Sequence, residues 1–229
     1  MNLLSFKLKS TGAALFFQNW FYRKGRQMTK LAVLASGSGT ILASIMTHEV
    51  PLSLALADKP CKALEIAAAA GIPTELINRR DFGYKPEIGE AWDREEFTRL
   101  VSATLLKYEI DVVAMAGFFT VLHDVIFVDF NRRILNIHPA LLPAFKGEFA
   151  VRDALVAGVK ETGSTVHIAT EVLDDERFIL GQVRVPVLEG DNVDTLWGRI
   201  KVQERELYPR VLWDILNGKI NLDKVREQS

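Results

Sequence analysis

An asparagine and a histidine two residues apart could carry acid–base chemistry in this chain. Asn136 and His138 stand at the end of an apolar run, Ile134 to Ile137, and Pro139 follows them. Residues two apart in a strand point to the same face of the sheet. A carboxamide can donate a hydrogen bond to a developing oxyanion, and an imidazole can move a proton near neutral pH. Spacing alone favours a structural pair, in which the asparagine completes a turn and the histidine bonds backbone.

A glycine-rich turn could hold an anion. It follows a short apolar run and opens a helical segment, and its residues are Ser36, Gly37, Ser38, Gly39 and Thr40. Glycines let backbone approach a ligand, and a helix N-terminus offers N–H groups, so a phosphate is the expected guest. One alternative is a dinucleotide site with Asp58 beyond the second strand, although Leu42 stands where that fingerprint needs a glycine. The other is a tight turn with no ligand.

A glutamate lies on the apolar stripe of the last predicted helix, which runs from about Val193 to Leu216. The stripe consists of Leu196, Ile200, Leu207, Val211 and Ile215. Glu204 falls between its members, and a carboxylate that faces a core needs a partner or a ligand. At the edge of the stripe the same side chain would be solvated, and periodicity leaves both readings open.

The other histidines and the acidic triplet are weaker candidates for chemistry. His167 lies inside a predicted strand, where a histidine is usually satisfied by its neighbours. His48 and His123 lie near predicted helix ends or loops and have no evident partner in the sequence. The acidic triplet of Asp174, Asp175 and Glu176 has the composition of a solvated turn.

Strand-like apolar runs alternate with helical stretches from Lys30 onward, which predicts βαβ units and a parallel sheet covered by helices on both faces. Two further runs, Ser164 to Ala169 and Gln182 to Val187, flank an acidic loop and predict an antiparallel extension. The predicted fold is therefore a Rossmann-like α/β domain that ends in a long helix. The other predicted strands are Leu31–Leu34, Leu52–Leu56, Thr74–Ile77 and Asp111–Ala116, and the other predicted helices are Thr40–His48, Ala63–Ala70 and Asp93–Lys107.

Composition excludes several classes of protein. The 229 residues are 48% hydrophobic and 25% charged, as in a globular domain large enough for its own core. A net charge of −1 gives no field that would recruit nucleic acid, and no apolar run is long enough to span a membrane. The single cysteine, Cys61, suits a reducing compartment, and no Cys/His cluster predicts a metal site.

The first 27 residues differ from the rest. Residues 1–30 hold six basic side chains, and the first acidic residue is Glu49. We predict an amino-terminal extension over residues 1–27, either disordered, transit-like or upstream of a functional start at Met28, followed by one domain over residues 28–229. The expected location is cytoplasmic, with organelle import if the extension is a transit peptide.

Four motifs in one order resemble those of the phosphoribosylglycinamide formyltransferases, folate-dependent enzymes of purine synthesis. The likeness runs from about Met28 to Trp213, and the most specific segment is Asn136 to Pro143, which has the pattern N-x-H-P-x-L-L-P. The other motifs are Leu34 to Thr40, Met115 to Phe118, and Thr165 to His167 together with Asp174. The resemblance implies formyl transfer from 10-formyltetrahydrofolate to the amine of glycinamide ribonucleotide, without a metal, by a monomer or homodimer whose partners are these small molecules.

The resemblance also implies roles for individual residues. Asn136 would hold the formyl oxygen, His138 would stabilise the intermediate and assist proton transfer, and Asp174 would orient the imidazole or a water. The ribonucleotide phosphate would bind at Gly37 to Thr40, and Glu204 would accept from the ribose hydroxyls. Residues lining the gap between the substrates would be Gly117, Phe119 and Pro139. The folate would bind along Thr120, Val121 and Leu122 and along the loop that begins with Ala169, Thr170 and Glu171.

The chain departs from the family pattern in a few places. Glu176 stands where the family has a glycine, so the loop needs another shape, and the acids beside Asp174 are expected to raise carboxylate pKa values. Ile41 stands where the family has an asparagine near the phosphate. Thr120 stands where some members have an arginine near the folate tail, and Ala140 stands where a serine is common.

Two hypotheses therefore stand beside the formyltransferase. One is a catalytically impaired relative that still binds folate or ribonucleotide, for which the altered loop is the reason. The other is the nicotinamide-dependent oxidoreductase that Asp58 and the glycine turn would serve, which Leu42 disfavours.

Overall fold

The computed structural model describes residues 29–85 and 92–227. The predicted amino-terminal extension lies outside these residues. The strands are β1 (Leu31–Ala35), β2 (Leu54–Ala57), β3 (Thr74–Leu76), β4 (Val112–Met115), β5 (Ile134–His138), β6 (Glu161–Ile168) and β7 (Ile179–Pro186). The α-helices are α1 (Thr40–Thr47), α2 (Lys62–Ala69), α3 (Arg94–Lys107), α4 (Ile126–Asp129), α5 (Ala150–Val156) and α6 (Val193–Leu216). Short 3₁₀ helices span Arg79–Phe82, Glu176–Phe178 and Leu222–Lys224.

The strands form one seven-stranded sheet in the order β3-β2-β1-β4-β5-β6-β7. Strands β1 to β5 are parallel, whereas β6 runs antiparallel to both β5 and β7. The predicted α/β fold with an antiparallel extension is thus confirmed. Strands β2 and β3 are added on one side of β1, and β4 and the later strands on the other. The strand order therefore reverses between β1 and β4, which is where open α/β sheets bind ligands.

Helices bury both faces of the sheet, which explains why β1 and β2 are continuous apolar runs. Alternate residues of β1 enter different cores: Leu31 and Val33 pack with α1 and α6, while Leu34 packs with α3 around Phe97. Each residue of these strands therefore contributes buried apolar area, the main favourable term in folding.

The carboxyl-terminal part closes one face of the sheet with α6. The helix begins with a capping box in which the side chains of Asn192 and Thr195 each bond the backbone of the other. The predicted stripe is confirmed, since all five of its apolar residues are buried, and Glu204 is buried with them at 6% exposure.

Two strands begin three residues earlier than predicted. The strand predicted from Ser164 begins at Glu161, and the strand predicted from Gln182 begins at Ile179. The short helices α4 and α5 had no counterpart in the sequence interpretation, because four and seven residues give too few turns for periodicity to be seen. Among the described helices, none is both long enough and apolar enough to cross a membrane.

The turn after β1 requires glycine at one position. Gly39 has φ +72°, and a Cβ there would lie 2.8 Å from the Cα of Ala63 on α2. Gly37 has neither constraint, since no atom lies within 4 Å of the place of its Cβ. Of the two glycines, only Gly39 is therefore required for the close packing of the turn against α2.

We expect Gly39→Ala to lower the free energy of unfolding by about 2 kcal/mol or more, because it combines a left-handed backbone with a backbone clash. Urea denaturation measures this change. Gly37→Ala is the matched control and should change the stability by less than about 0.5 kcal/mol. Equal effects of the two substitutions would contradict this account of the turn.

Candidate active site

Asn136 and His138 lie on the last strand of the parallel part of the sheet, at its carboxyl end. In the pairing of β5 with β6, Asn136 is opposite His167 and His138 is opposite Thr165. The carboxamide nitrogen of Asn136 lies 3.3 Å from Nε2 of His167. Directly opposed residues share a face, so the two predicted side chains and His167 line the same side of the sheet.

Asp174 approaches this pair from the loop between β6 and β7. Its Oδ1 lies 3.4 Å from Nδ1 of His138 and 3.8 Å from Nε2 of His167. Its Oδ2 accepts a hydrogen bond of 2.7 Å from the backbone N–H of Gly147. The structure thus brings together the three side chains that the sequence singled out for catalysis, and the His138 and Asp174 side chains are only 5% and 4% exposed.

The backbone of the loop places Asp174 in an unusual conformation. Asp174 has φ +49°, in the left-handed region that a non-glycine residue rarely occupies. Two residues later, where the resemblance led us to expect a glycine, Glu176 begins a 3₁₀ helix. The positive φ in this part of the loop therefore falls on Asp174 itself, and Glu176 lies in a 3₁₀ helix.

The expectation that neighbouring acids raise the carboxylate pKa values is wrong for Asp175. Burial opposes ionisation of Asp175, but hydrogen bonds from Arg177 and from the Thr170 hydroxyl outweigh it and lower its pKa to about 2. Glu176 pairs with Lys146, whose hydrogen bond lowers the pKa of that carboxyl. Asp175 and Glu176 each have their own partners, so neither competes with Asp174 for the contacts of Asp174.

Both ring nitrogens of His138 face oxygen atoms. Nε2 donates a hydrogen bond of 2.8 Å to the carbonyl of Phe145, and Nδ1 faces Asp174. A carbonyl oxygen and a carboxylate oxygen both act as acceptors, so each ring nitrogen of His138 faces an acceptor. A ligand that bonds Nε2 must displace the Phe145 carbonyl, which belongs to the segment between β5 and α5.

The glycine turn presents the start of a helix to the same edge of the sheet. Gly39 is the N-cap of α1 and supplies no side-chain cap, which leaves the first N–H groups of the helix without a helical partner. Ser38 and Thr40 are exposed, whereas Ile41 is 7% exposed and packs in the core. The Ile41 departure therefore exchanges a polar side chain near the turn for core packing.

The turn and the Gly117 region are joined through backbone. The N–H of Ser36 donates to the carbonyl of Gly117 at 3.0 Å, and the Ser36 hydroxyl accepts from the N–H of Phe119 at 3.3 Å. Phe119 is 69% exposed although it is a large apolar residue. Gly117, Phe119 and the partly exposed Pro139 all follow strand ends at this edge of the sheet.

Glu204 contacts the site through one hydroxyl. The hydroxyl of Ser164 lies 3.3 Å from Oε1 of Glu204 and 3.0 Å from the backbone carbonyl of His138. Burial raises the pKa of Glu204 to about 7, against the smaller effects of Ser164, Lys201 and Arg205. The structure thus decides the question that periodicity left open, and Glu204 is a buried carboxyl.

The segments predicted to hold the folate differ in what their side chains do. Thr120 is 5% exposed and its hydroxyl donates to Asp58, while Val121 is 56% exposed. On the other segment, the N–H of Ala169 continues the pairing to β5, and Thr170 bonds Asp175. The remaining two positions differ in burial: Leu122 is partly exposed, and Glu171 is exposed.

Asp58 is unavailable to a nucleotide ribose. Its side chain is fully buried, and its Oδ2 accepts from Thr120 at 2.5 Å and lies 3.2 Å from Nη1 of Arg79. Arg79 also donates to Thr120 at 2.8 Å. The dinucleotide hypothesis therefore loses its acidic residue as well as its third glycine.

Sequence interpretation missed several contacts of this site. His167 was expected to be purely structural, and the backbone of Phe145 and Gly147 carried no signal, because backbone groups contact regardless of side-chain type. The available signal was the pairing of the predicted strands: a register of β5 against β6 places His167 beside Asn136.

In residues 29–85 and 92–227 no group of His, Cys, Asp or Glu has the arrangement of a metal site.

Comparisons with known proteins identify the family of this chain. A profile of the formyl transferase family matches residues 29–212. A phosphoribosylglycinamide formyltransferase of Mycobacterium tuberculosis is 42% identical over 183 residues, which cover 78% of this chain and 80% of that protein. The enzyme of the same name from Bacillus subtilis is 34% identical, over 82% of this chain and 95% of that protein.

A solved structure gives the same result. Glycinamide ribonucleotide transformylase 1 from Symbiobacterium toebii superposes with a TM-score of 0.76 at 34% identity, over 88% of this chain and 95% of that chain. The chain therefore belongs to the formyl transferase family. The names of all three relatives described above contain glycinamide ribonucleotide or its synonym, phosphoribosylglycinamide.

We expect the buried Glu204 to make stability depend on pH. Its pKa is about 7 when folded and 4.5 in its ordinary state, so between these values the native protein keeps a proton that the unfolded chain has lost. The free energy of unfolding therefore falls as pH rises through this window, by about 3 kcal/mol in total. Glu204→Gln removes the titration, so its stability relative to the parent protein should rise by about 2–3 kcal/mol between pH 5 and pH 8.

Urea denaturation at the two pH values measures this difference. Glu206→Gln is the control, because Glu206 lies on the same helix with a side chain that is 71% exposed. It should show a pH effect of less than about 0.5 kcal/mol. A Glu204→Gln difference that stays constant from pH 5 to pH 8 would show that Glu204 does not titrate in this window.

Proposed function

We propose that this protein transfers the formyl group of 10-formyltetrahydrofolate to the amine of glycinamide ribonucleotide, giving formylglycinamide ribonucleotide in purine biosynthesis. The observation that carries the proposal is the convergence of Asn136, His138 and Asp174, with 3.4 Å between the imidazole and the carboxylate. Family membership supplies the reaction class, and the named relatives supply the substrates.

The reaction consists of an addition and an elimination. The amine nitrogen of the ribonucleotide attacks the formyl carbon, a C–N bond forms, and the formyl oxygen becomes an oxyanion. The oxyanion then collapses, the bond from carbon to N10 of the folate breaks, and N10 receives a proton while the amine loses one. The protein must therefore stabilise negative charge on oxygen and move one proton between two nitrogens.

Asn136 is suited to stabilise the oxyanion. One side of its carboxamide contacts His167, and its side chain is only partly buried, so the other side can reach a ligand. A fixed amide donor aimed at a developing oxyanion contributes about 10²–10³ in rate in other acyl-transfer enzymes.

His138 and Asp174 are suited to manage charge and protons. The imidazole of His138, whose two ring nitrogens face oxygen atoms, would carry a positive charge beside the oxyanion once it takes up a proton in the reaction. Asp174 would balance this charge, and its second oxygen accepts a hydrogen bond from the N–H of Gly147. Once a ligand displaces the Phe145 carbonyl, Nε2 can donate directly, and general acid–base help of this kind contributes about 10²–10⁴.

The ribonucleotide would bind between α1 and α6. Its phosphate would accept from backbone N–H groups at Gly37 to Thr40, where the helix dipole also favours an anion. Its ribose hydroxyls would donate to Glu204, which is joined to the His138 carbonyl through Ser164. The exposed ring of Phe119, with Gly117 and Pro139, would line the gap between the two substrates.

The folate would occupy the groove between two loops. Residues 120–122 would form one wall, and residues 169–174 would form the other, which ends at Asp174. The hydrogen bonds of Thr120 with Asp58 and of Thr170 with Asp175 stiffen these walls.

We further propose that residues 28–229 act as one domain, as a monomer or homodimer in the cytoplasm. Its partners would be these small molecules, and neither nucleic acid nor a membrane.

The direct test is incubation of the purified protein with both substrates while the loss of the formyl group from the folate is followed by absorbance. Turnover that requires both substrates supports the proposal. The catalytically impaired hypothesis predicts binding without turnover at micromolar enzyme. It is not favoured, because all three catalytic side chains are present and in contact distance of one another or of His167.

We expect His138→Ala and Asp174→Asn each to lower kcat by at least about a hundredfold, since each removes charge stabilisation or proton transfer in the transition state. Steady-state kinetics measure the loss, and circular dichroism checks that the fold is retained. His48→Ala, which alters a histidine on the far end of α1, is the control and should keep the parent rate. A near-normal kcat for either site variant would refute its assigned role.

We expect Glu204→Ala to raise the KM for the ribonucleotide by about tenfold or more with a smaller effect on kcat, because the ribose contact forms before the transition state. The KM for the folate should stay within about threefold. Saturation curves for each substrate separate these effects. An unchanged KM for the ribonucleotide would rule out the ribose contact.

A further inference from the structure

His167 is a buried histidine for which the proposed reaction has no step. Its side chain is 2% exposed and lies on β6 directly opposite Asn136. The carbonyl of Ile168 lies 3.1 Å from its Nδ1, and the carboxamide nitrogen of Asn136 lies 3.3 Å from its Nε2. Each ring nitrogen therefore has one close partner, and these partners differ in chemistry.

The two partners fix which nitrogen carries the hydrogen. A carbonyl oxygen only accepts, so Nδ1 must donate to Ile168. In a neutral ring Nε2 then has a lone pair, and it accepts from the amide of Asn136. Asn136 must consequently turn its NH₂ group, not its oxygen, toward His167. One N–H is used in this contact, and the second N–H of the same group is left for a ligand.

The surroundings keep this ring neutral. Burial lowers the pKa of His167, and the nearby His138 adds to the effect, against the opposing influence of Asp174, the Ile168 carbonyl and Asp175. A second hydrogen on Nε2 would face the amide hydrogens of Asn136. It would also turn toward Oδ1 of Asp174 at 3.8 Å, the same atom that lies 3.4 Å from His138.

We propose that neutral His167 is a positioning residue: it locks the rotation of the Asn136 carboxamide so that an N–H points at the formyl oxygen, and it leaves Asp174 to His138. This inference rests on the proposed formyl transfer, but the locked tautomer is a property of the protein without substrates. Positioning of this kind acts on the transition state, where oxyanion donors contribute most.

Two substitutions separate positioning from simple core packing. His167→Gln keeps an acceptor near the place of Nε2 and cannot become a cation, while His167→Leu fills the space without an acceptor. We expect kcat to fall by about tenfold or more in the leucine variant and by less than about threefold in the glutamine variant. The KM values for both substrates should stay within about threefold. His48→Gln serves as the control histidine, and thermal unfolding reports on the fold.

A double-mutant cycle with Asn136 gives the decisive comparison. In an Asn136→Ala background, His167→Leu should change kcat by less than about threefold, because its target is already absent. The same factor of loss with and without Asn136 would overturn the proposal. Equal losses in the leucine and glutamine variants would overturn it as well.

The tautomer can be read even if a variant fails to fold. Nitrogen-15 NMR of the parent protein at pH 7.5 should show His167 as the neutral ring with its hydrogen on Nδ1. A hydrogen on Nε2, alone or in the imidazolium, would overturn the proposal. Absence of formyl transfer in the parent protein would instead refute the proposed function, so the two failures are distinguishable.

Discussion

The antiparallel pairing of β6 against β5 is the constraint on which the rest of the site depends. It sets Asn136 beside His167 and His138 beside Thr165, and it starts the loop that returns Asp174 to the imidazole. A shift of one residue would turn these side chains to the other face of the sheet. The parallel half of the sheet cannot supply such an arrangement alone, because its neighbouring strands are joined by helical crossovers rather than by short loops.

Burial and hydrogen bonding divide the acids of the site into distinct roles. Asp175 is ionised because Arg177 and Thr170 bond it, whereas burial raises the pKa of Glu204 to about 7. Asp174 is held by one backbone N–H and two histidines, in a left-handed conformation that the surrounding contacts maintain. Three carboxyl groups of similar intrinsic acidity therefore have different surroundings: Asp175 is bonded by Arg177, Glu204 is buried beside Ser164, and Asp174 faces two histidines.

Sequence reasoning performed best where local chemistry is sufficient. Continuous apolar runs identified β1 and β2, and the stripe of α6 identified its buried face, because strand and helix periodicities are local properties. It was weaker where contacts join distant segments. The carbonyl of Phe145 on His138 and the Arg79 contact with Thr120 depend on backbone positions and crossings that no spacing records. The acidic loop was misjudged partly for this reason, since Glu176 pairs with the remote Lys146, whereas the Asp175 partners Thr170 and Arg177 are local but depend on the conformation of the loop.

The amino-acid sequence by itself determined the order of the elements and the family. These follow from periodicity and from short motifs, whose residues are close along the chain. Only the tertiary structure decided that Glu204 is buried, that Asp58 is bound by Thr120 and Arg79, and that His167 contacts Asn136. The reason is physical: burial and the second partner of a polar group come from segments that are remote in sequence and meet only when the sheet assembles.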